Sequence, residues 1–253
     1  MGGAGGAFLT THWSLIEDAK KRPDEDRALI GLLLERYWKP VYCYLRQKGY
    51  DNEQAKDLTQ SFFHEIVLNL NLIRRADQSK GRFRSFLLYA LNQYLMNENR
   101  RERAQKNIPK DKIVSLDAIE LPLLPQSVIE SSAEDSYNYA WVSALLDQVL
   151  SEVKRNCCEQ GMETHWCVFG ERVVKPMLNN VAPRSLTDIC EEYGIESEKK
   201  ASNMIVTVKR RFQATLKQYI RSTVASESEM ADELKEIMQF LPKERRILGK
   251  AVS

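Results

Sequence analysis

Cysteine is scarce in this 253-residue chain: Cys43, Cys157, Cys158, Cys167 and Cys190 are an odd five without CxxC spacing. That argues against a disulfide framework and points to a reducing compartment. Histidine is scarcer still, at three residues, and His64-Glu65 has no second His to complete a zincin pair. Cys157, Cys158, His165 and Cys167 fit no common structural zinc spacing. Long apolar runs are missing too. The longest uncharged apolar stretch, residues 85–97, falls short of the roughly 20 residues a spanning helix needs and contains Asn92 and Gln93. Residues 1–7 are Gly/Ala-rich, without the basic start and apolar core of a signal peptide, and Gly6 stands where a myristoylation motif wants Ser or Thr. The expectation is a cytoplasmic protein that does not enter a membrane. Net charge is nearly absent at +2, from 37 Lys plus Arg against 35 Asp plus Glu.

With 43% hydrophobic and 28% charged residues, the chain has an ordinary globular composition. Its pattern is helical, and strand alternation is almost absent. Leu29, Leu33, Tyr37, Val41 and Tyr44 form one apolar stripe, in which Pro40 predicts a kink. Gly49 ends that element, and Asp51 or Asn52 is placed to cap the next. Ala55, Leu58, Phe62 and Ile66 recur at helical spacing. So do Phe83, Phe86, Leu87, Ala90, Leu91 and Tyr94 after a polar connection over 69–80. These segments predict a helical bundle.

Residues 113–153 contain seven acids and no base, with Pro122, Pro125 and several serines early in the stretch. That composition predicts a linker leading into a helix that carries Trp141, Leu145, Val149 and Val153. Further on, Leu186, Ile189, Cys190 and Tyr193 make a short amphipathic helix stopped by Gly194. Ser197 then caps a longer one with the stripe Ala201, Ile205, Val208, Phe212, Leu216 and Tyr219. This is the outline of a helix-turn-helix, although many helical hairpins share it. The expected fold class is all-α. Its parts are a leader over 1–24, a helical domain over 25–108, an acidic linker over 109–136, a helix-turn-helix domain over 137–241 and a tail over 242–253.

The near-zero total charge hides two basic segments. Residues 74–110 hold ten bases against three acids, and residues 199–221 hold seven bases and no acid, so each carries +7. Two such runs, each ending an amphipathic helix, favour a nucleic-acid partner over two solvated faces. Clustered carboxylates suited to nuclease chemistry do not accompany them, and an enzyme is not expected.

Specific motifs sharpen this. Asp57-Leu58-Thr59-Gln60-Ser61-Phe62-Phe63 resembles the core-polymerase-binding segment of bacterial sigma factors of the sigma-70 class. Gly81-Arg82-Phe83-Arg84-Ser85-Phe86-Leu87 and Asn97-Glu98-Asn99-Arg100-Arg101-Glu102-Arg103 resemble the adjoining promoter-melting and promoter-reading helix. Residues 185–220 resemble region four of the same family. With only regions two and four, joined by a linker, the chain is similar to the extracytoplasmic-function (ECF) group over about residues 10–241. Thr10-Thr11-His12-Trp13-Ser14-Leu15 and Thr223-Val224 resemble a particular ECF branch. Membership of the branch that accompanies type III-E CRISPR systems would add control by a CRISPR-associated partner.

The resemblance implies binding to core RNA polymerase through Asp57, Gln60, Ser61 and Phe63. The first three lie off the apolar stripe by helix geometry, whereas Phe63 lies beside it and is open to either core or interface. At the −10 element, Arg74, Arg75, Lys80 and Arg82 would hold the backbone around a flipped base, and Asn92, Asn97, Arg100 and Arg101 would contact duplex and single strand. At the −35 element, Lys199, Lys200, Ser202 and Asn203 would reach base edges or phosphates, with Lys209, Arg210 and Arg211 as phosphate anchors. The chain departs from the family pattern at Ser61, where an acid is common, at Asn92, where the branch often has Lys, and at Ser202 and Thr207, where it usually has bases. Glu196 reads as a one-residue insertion in the turn. The family also implies an anti-sigma inhibitor protein as a partner, and no cofactor, metal or catalytic residue. The alternative is a helix-turn-helix regulator that does not engage polymerase through its N-terminal bundle. An RNA-binding adaptor, a third reading, would carry exposed aromatics among its bases.

Overall fold

The computed structural model describes residues 26–68, 77, 82–104, 132–179, 181–221, 223, 224 and 226–240. The leader over 1–24, the tail over 242–253 and most of the expected linker lie outside them. Among the described residues the regular elements are all helical: α1 Asp26–Gln47, α2 Asn52–Leu68, α3 Phe83–Ala104, α4 Ala133–Glu159, α5 Glu163–Phe169, a π-helical turn Gly170–Val174, α6 Lys175–Asn179, α7 Leu186–Tyr193, α8 Glu198–Arg221 and α9 Glu227–Phe240. None of them is long and apolar enough to cross a membrane. The chain divides into two compact units, within Thr10–Trp141 and Val142–Ser253, and the division falls inside α4.

In the first unit α1 runs through Pro40 and buries Leu33, Tyr37, Val41 and Tyr44 completely. Gly49 closes it at φ +95°, a left-handed conformation that glycine adopts without a Cβ clash. The 3.3 Å bond from the Tyr50 amide to the Leu45 carbonyl caps the helix end. Asp51 then opens α2 with a reciprocal cap: the Gln54 amide donates to Asp51 Oδ1 at 2.8 Å, and the Asp51 amide donates to Gln54 Oε1 at 3.1 Å. The core is aromatic. Phe62 lies 5.5 Å from Tyr94, and Tyr37 meets Phe83 edge-on at 5.5 Å; such pairs contribute about 0.5–1.5 kcal/mol beyond area burial.

The expected linker extends to 136, yet α4 begins at Ala133, and Ser136 and Tyr137 are fully buried. The local cause is a cap: the Asp135 amide donates to Ser132 Oγ at 3.1 Å, and Ser132 Oγ donates to Asp135 Oδ2 at 2.9 Å. Packing adds to it. The Tyr137 hydroxyl donates to the Arg84 carbonyl at 3.1 Å, and the Arg84 guanidinium lies 5.0 Å over the Trp141 ring and donates to Asn138.

In the second unit the remainder of α4 buries Val142, Leu145, Val149, Val153 and Cys157. Gly161, at φ +66°, turns the chain into α5, which packs along α8 with Phe169 6.5 Å from Phe212. α7 and α8 share a small core of Ile189, Cys190, Ile195 and Ala201 closed by Val168, with Leu186, Tyr193, Met204 and Ile205 around it. α9 packs against α8 and buries Ile237.

Candidate nucleic-acid interface

Local chemistry shapes the turn between α7 and α8. Ser185 caps α7, its Oγ accepting from the Asp188 amide at 3.0 Å. Gly194 ends α7 at φ 62°, ψ 39°, which a side chain would strain by about 1–2 kcal/mol. Ile195 then turns inward, its amide donating to the Cys190 carbonyl at 2.9 Å. Ser197 caps α8 by accepting from the Lys200 amide at 3.3 Å, and the Thr187 hydroxyl bridges the helices by donating to Glu198 Oε1 at 2.7 Å. Glu196 is exposed in the turn and pairs with Lys200 Nζ at 3.0 Å.

This arrangement leaves one side of α8 in solvent. Lys199, Lys200, Asn203 and Arg210 are exposed, while Ser202, Lys209 and Arg211 are half-buried. Arg211 is turned toward the buried Cys157 thiol: burial pushes that thiol up, and the charge and hydrogen bond of Arg211 oppose the rise. The Thr207 hydroxyl is occupied within the helix, donating to the Asn203 carbonyl at 2.8 Å. Val206, 44% exposed, stands among the polar residues. The buried stripe does not include it; its off-stripe position is the sequence signal for an exposed apolar residue.

In the first unit, Gln60 and Ser61 are exposed on α2 and Asp57 is half-buried. Phe63 is 2% exposed, with its ring 5.5 Å from Phe62. Of the two places left open for it, the core is the one it occupies, so its ring is not free to meet a partner. Ser61 hydrogen-bonds the Tyr94 hydroxyl, whose pKa is pushed up to about 12, first by burial and then by Glu98 and Glu65.

The −10 candidates are scattered in character. Arg74, Arg75 and Lys80 lie outside the described residues, and Arg82 is half-buried. Asn92 is engaged inside the bundle: the Tyr44 hydroxyl donates to its Oδ1 at 2.6 Å, and its Nδ2 donates to the Leu88 carbonyl at 3.2 Å. Asn97, Arg100 and Arg101 are exposed, and Arg101 is held by Glu65 at 3.0 Å and Glu98 at 2.7 Å. Arg84, one of the ten bases in the run, is only 6% exposed and adds nothing to the surface. In its place the outer arc of α3 carries two apolar side chains, Tyr89 at 64% and Met96 at 55% exposure, alongside Gln93, Asn97 and Arg100.

The five cysteines are free thiols, with Cys158 exposed. Among the described residues no three His, Cys, Asp or Glu side chains converge to hold a metal ion. Exposed cations, amides and a capped helix start are groups that bind phosphate and base edges. Against models of known protein families, curated proteins and solved structures, the chain has no match.

Proposed function

We propose that this chain is a transcription initiation factor of the ECF sigma type, which binds core RNA polymerase and directs it to promoter DNA. The observation that carries the reading is the helix-turn-helix of α7 and α8. Its first exposed turns offer Lys199, Lys200 and Asn203, and no acid interrupts the basic run along the rest of α8. A helix of this kind enters the major groove with its N-terminal residues at base edges and its later cations on phosphates. The first unit supplies the other function. Asp57, Gln60 and Ser61 form the polar polymerase contact implied by the resemblance, now without Phe63. Exposed Arg100 and Asn97, with the π-face of Tyr89, suit a melted strand. An anti-sigma protein is the regulatory partner this reading includes.

One observation favours a second reading. Tyr89 is an exposed aromatic on the same helix as the exposed Arg100 and Arg101, the feature expected of an RNA-binding adaptor. Co-migration with bacterial core polymerase separates the readings: an initiation factor forms a stoichiometric complex weakened by Gln60→Ala. A helix-turn-helix regulator or an RNA adaptor elutes alone.

A further inference from the structure

α8 separates its faces cleanly. Ala201, Val208, Phe212, Leu216, Tyr219 and Ile220 are buried, and at about 100° per residue Lys199, Asn203, Val206, Arg210 and Lys217 fall on the opposite arc. Val206 is the only large hydrophobic side chain of this helix that is exposed. A lone exposed valine needs no explanation on an arbitrary surface. Here its surroundings are specific: Asn203 is three residues before it, Arg210 four after it, and Lys199 seven before it, all exposed. β-branching lowers helix propensity, so valine is not favoured at such a position by the helix itself.

An amide, an aliphatic group and cations on one helical arc match the major-groove edge of an A·T pair. Asn bonds adenine N6 and N7, an apolar group meets the thymine 5-methyl, and the cations hold the flanking phosphates. The neighbouring Thr207 is half-buried with its hydroxyl bonded to the Asn203 carbonyl, and Val206 is the exposed aliphatic side chain at that level of the helix. We infer that Val206 is a specificity-determining residue that reads a thymine methyl group in the duplex bound by α8, next to the base read by Asn203. The inference rests on the DNA-binding reading above and adds the base it selects.

The test uses the full-length chain with core polymerase and a randomised duplex DNA pool. Wild-type protein is expected to enrich a sequence containing an A·T pair with thymine at one invariant position, and Val206→Ser to lose preference at that position alone. The enriched duplex is then remade with deoxyuridine for that thymine, which removes only the methyl group. Wild-type binding should weaken about fourfold, the equivalent of about 0.8 kcal/mol for one buried methyl. Val206→Ala, which keeps one methyl group and is a better helix former, should discriminate between the two duplexes less than wild type does. If wild type enriches a sequence but deoxyuridine and the Val206 variants change nothing, the assignment of Val206 is overturned while the DNA-binding reading survives. If wild type enriches no sequence, both fall together.

Discussion

Phe63 and Gln60 are three residues apart on α2, and their substitution should separate folding from partner binding. Phe63 is 2% exposed and contacts Phe62, whereas Gln60 points to solvent. Replacing a buried Phe by Ala removes its transfer free energy and leaves a cavity, at a cost of about 3–5 kcal/mol. Domains of this size are stable by only about 5–15 kcal/mol, so Phe63→Ala should bring the first unit close to unfolding. Phe63→Leu keeps most of the volume and should cost about 1 kcal/mol. Gln60→Ala should change stability by less than about 0.5 kcal/mol. Urea unfolding of the full chain, followed by circular dichroism, measures all three, and sedimentation with core polymerase measures binding. The expected pattern is that Gln60→Ala loses polymerase affinity at unchanged stability, while Phe63→Leu keeps affinity. A Phe63→Ala protein within about 0.5 kcal/mol of wild type would refute the packing argument. Loss of polymerase binding by a fully stable Phe63→Leu protein would return that ring to the interface.

Three other outcomes follow from the geometry. Gly194→Ala should lower stability by about 1–2 kcal/mol, seen as a reduced Tm of the helix-turn-helix unit. The left-handed backbone alone sets this cost, since an added Cβ meets nothing within 4 Å. Glu171 is held below its ordinary value of 4.5, first by its hydrogen bond from Lys175 and then by the nearby charges of Lys175 and Arg184. Its contribution to stability is therefore present above the unfolded value and lost as pH falls through the lower folded one. Acid titrations should show wild type losing its advantage over Glu171→Gln on the acid side of that value, and a constant difference down to strong acid would contradict this. Arg100→Ala with Arg101→Ala should reduce promoter opening, read by permanganate reactivity of unpaired thymines, more than it reduces polymerase binding; equal loss of both would argue against their assigned role.

Local signals were the legible ones. Ser185, Gly194 and Ser197 cap or end helices through neighbours within a few residues, so the short helix, turn and long helix could be read directly from residues 185–220. The aromatic stripes of α1, α2 and α3 were legible for the same reason, since 3.6-residue periodicity is a local property. Features set by distant partners were not. Asn92 sits at a position where its residue type suits DNA contact, but its amide oxygen accepts from Tyr44, 48 residues away. Arg84 adds to the basic run in sequence, yet its guanidinium lies over Trp141; long cationic side chains bury their stems and stack readily. The start of α4 read as linker because its acids dominated the composition. Yet Ser132 and Asp135 form a cap, and the helix dipole favours Glu134 and Asp135 in the first turn. Tyr89 and Val206 were overlooked as apolar residues outside the stripes, where exposure rather than periodicity carries the information.

Promoter-dependent initiation tests the central claim most directly. Bacterial core polymerase, which starts poorly at defined sites by itself, is mixed with the full-length chain and a library of duplex fragments, and the 5′ ends of the transcripts are mapped. The account predicts discrete start sites that appear only with the chain present and fade with Gln60→Ala. An unchanged, scattered set of ends in the presence of excess folded protein would contradict it.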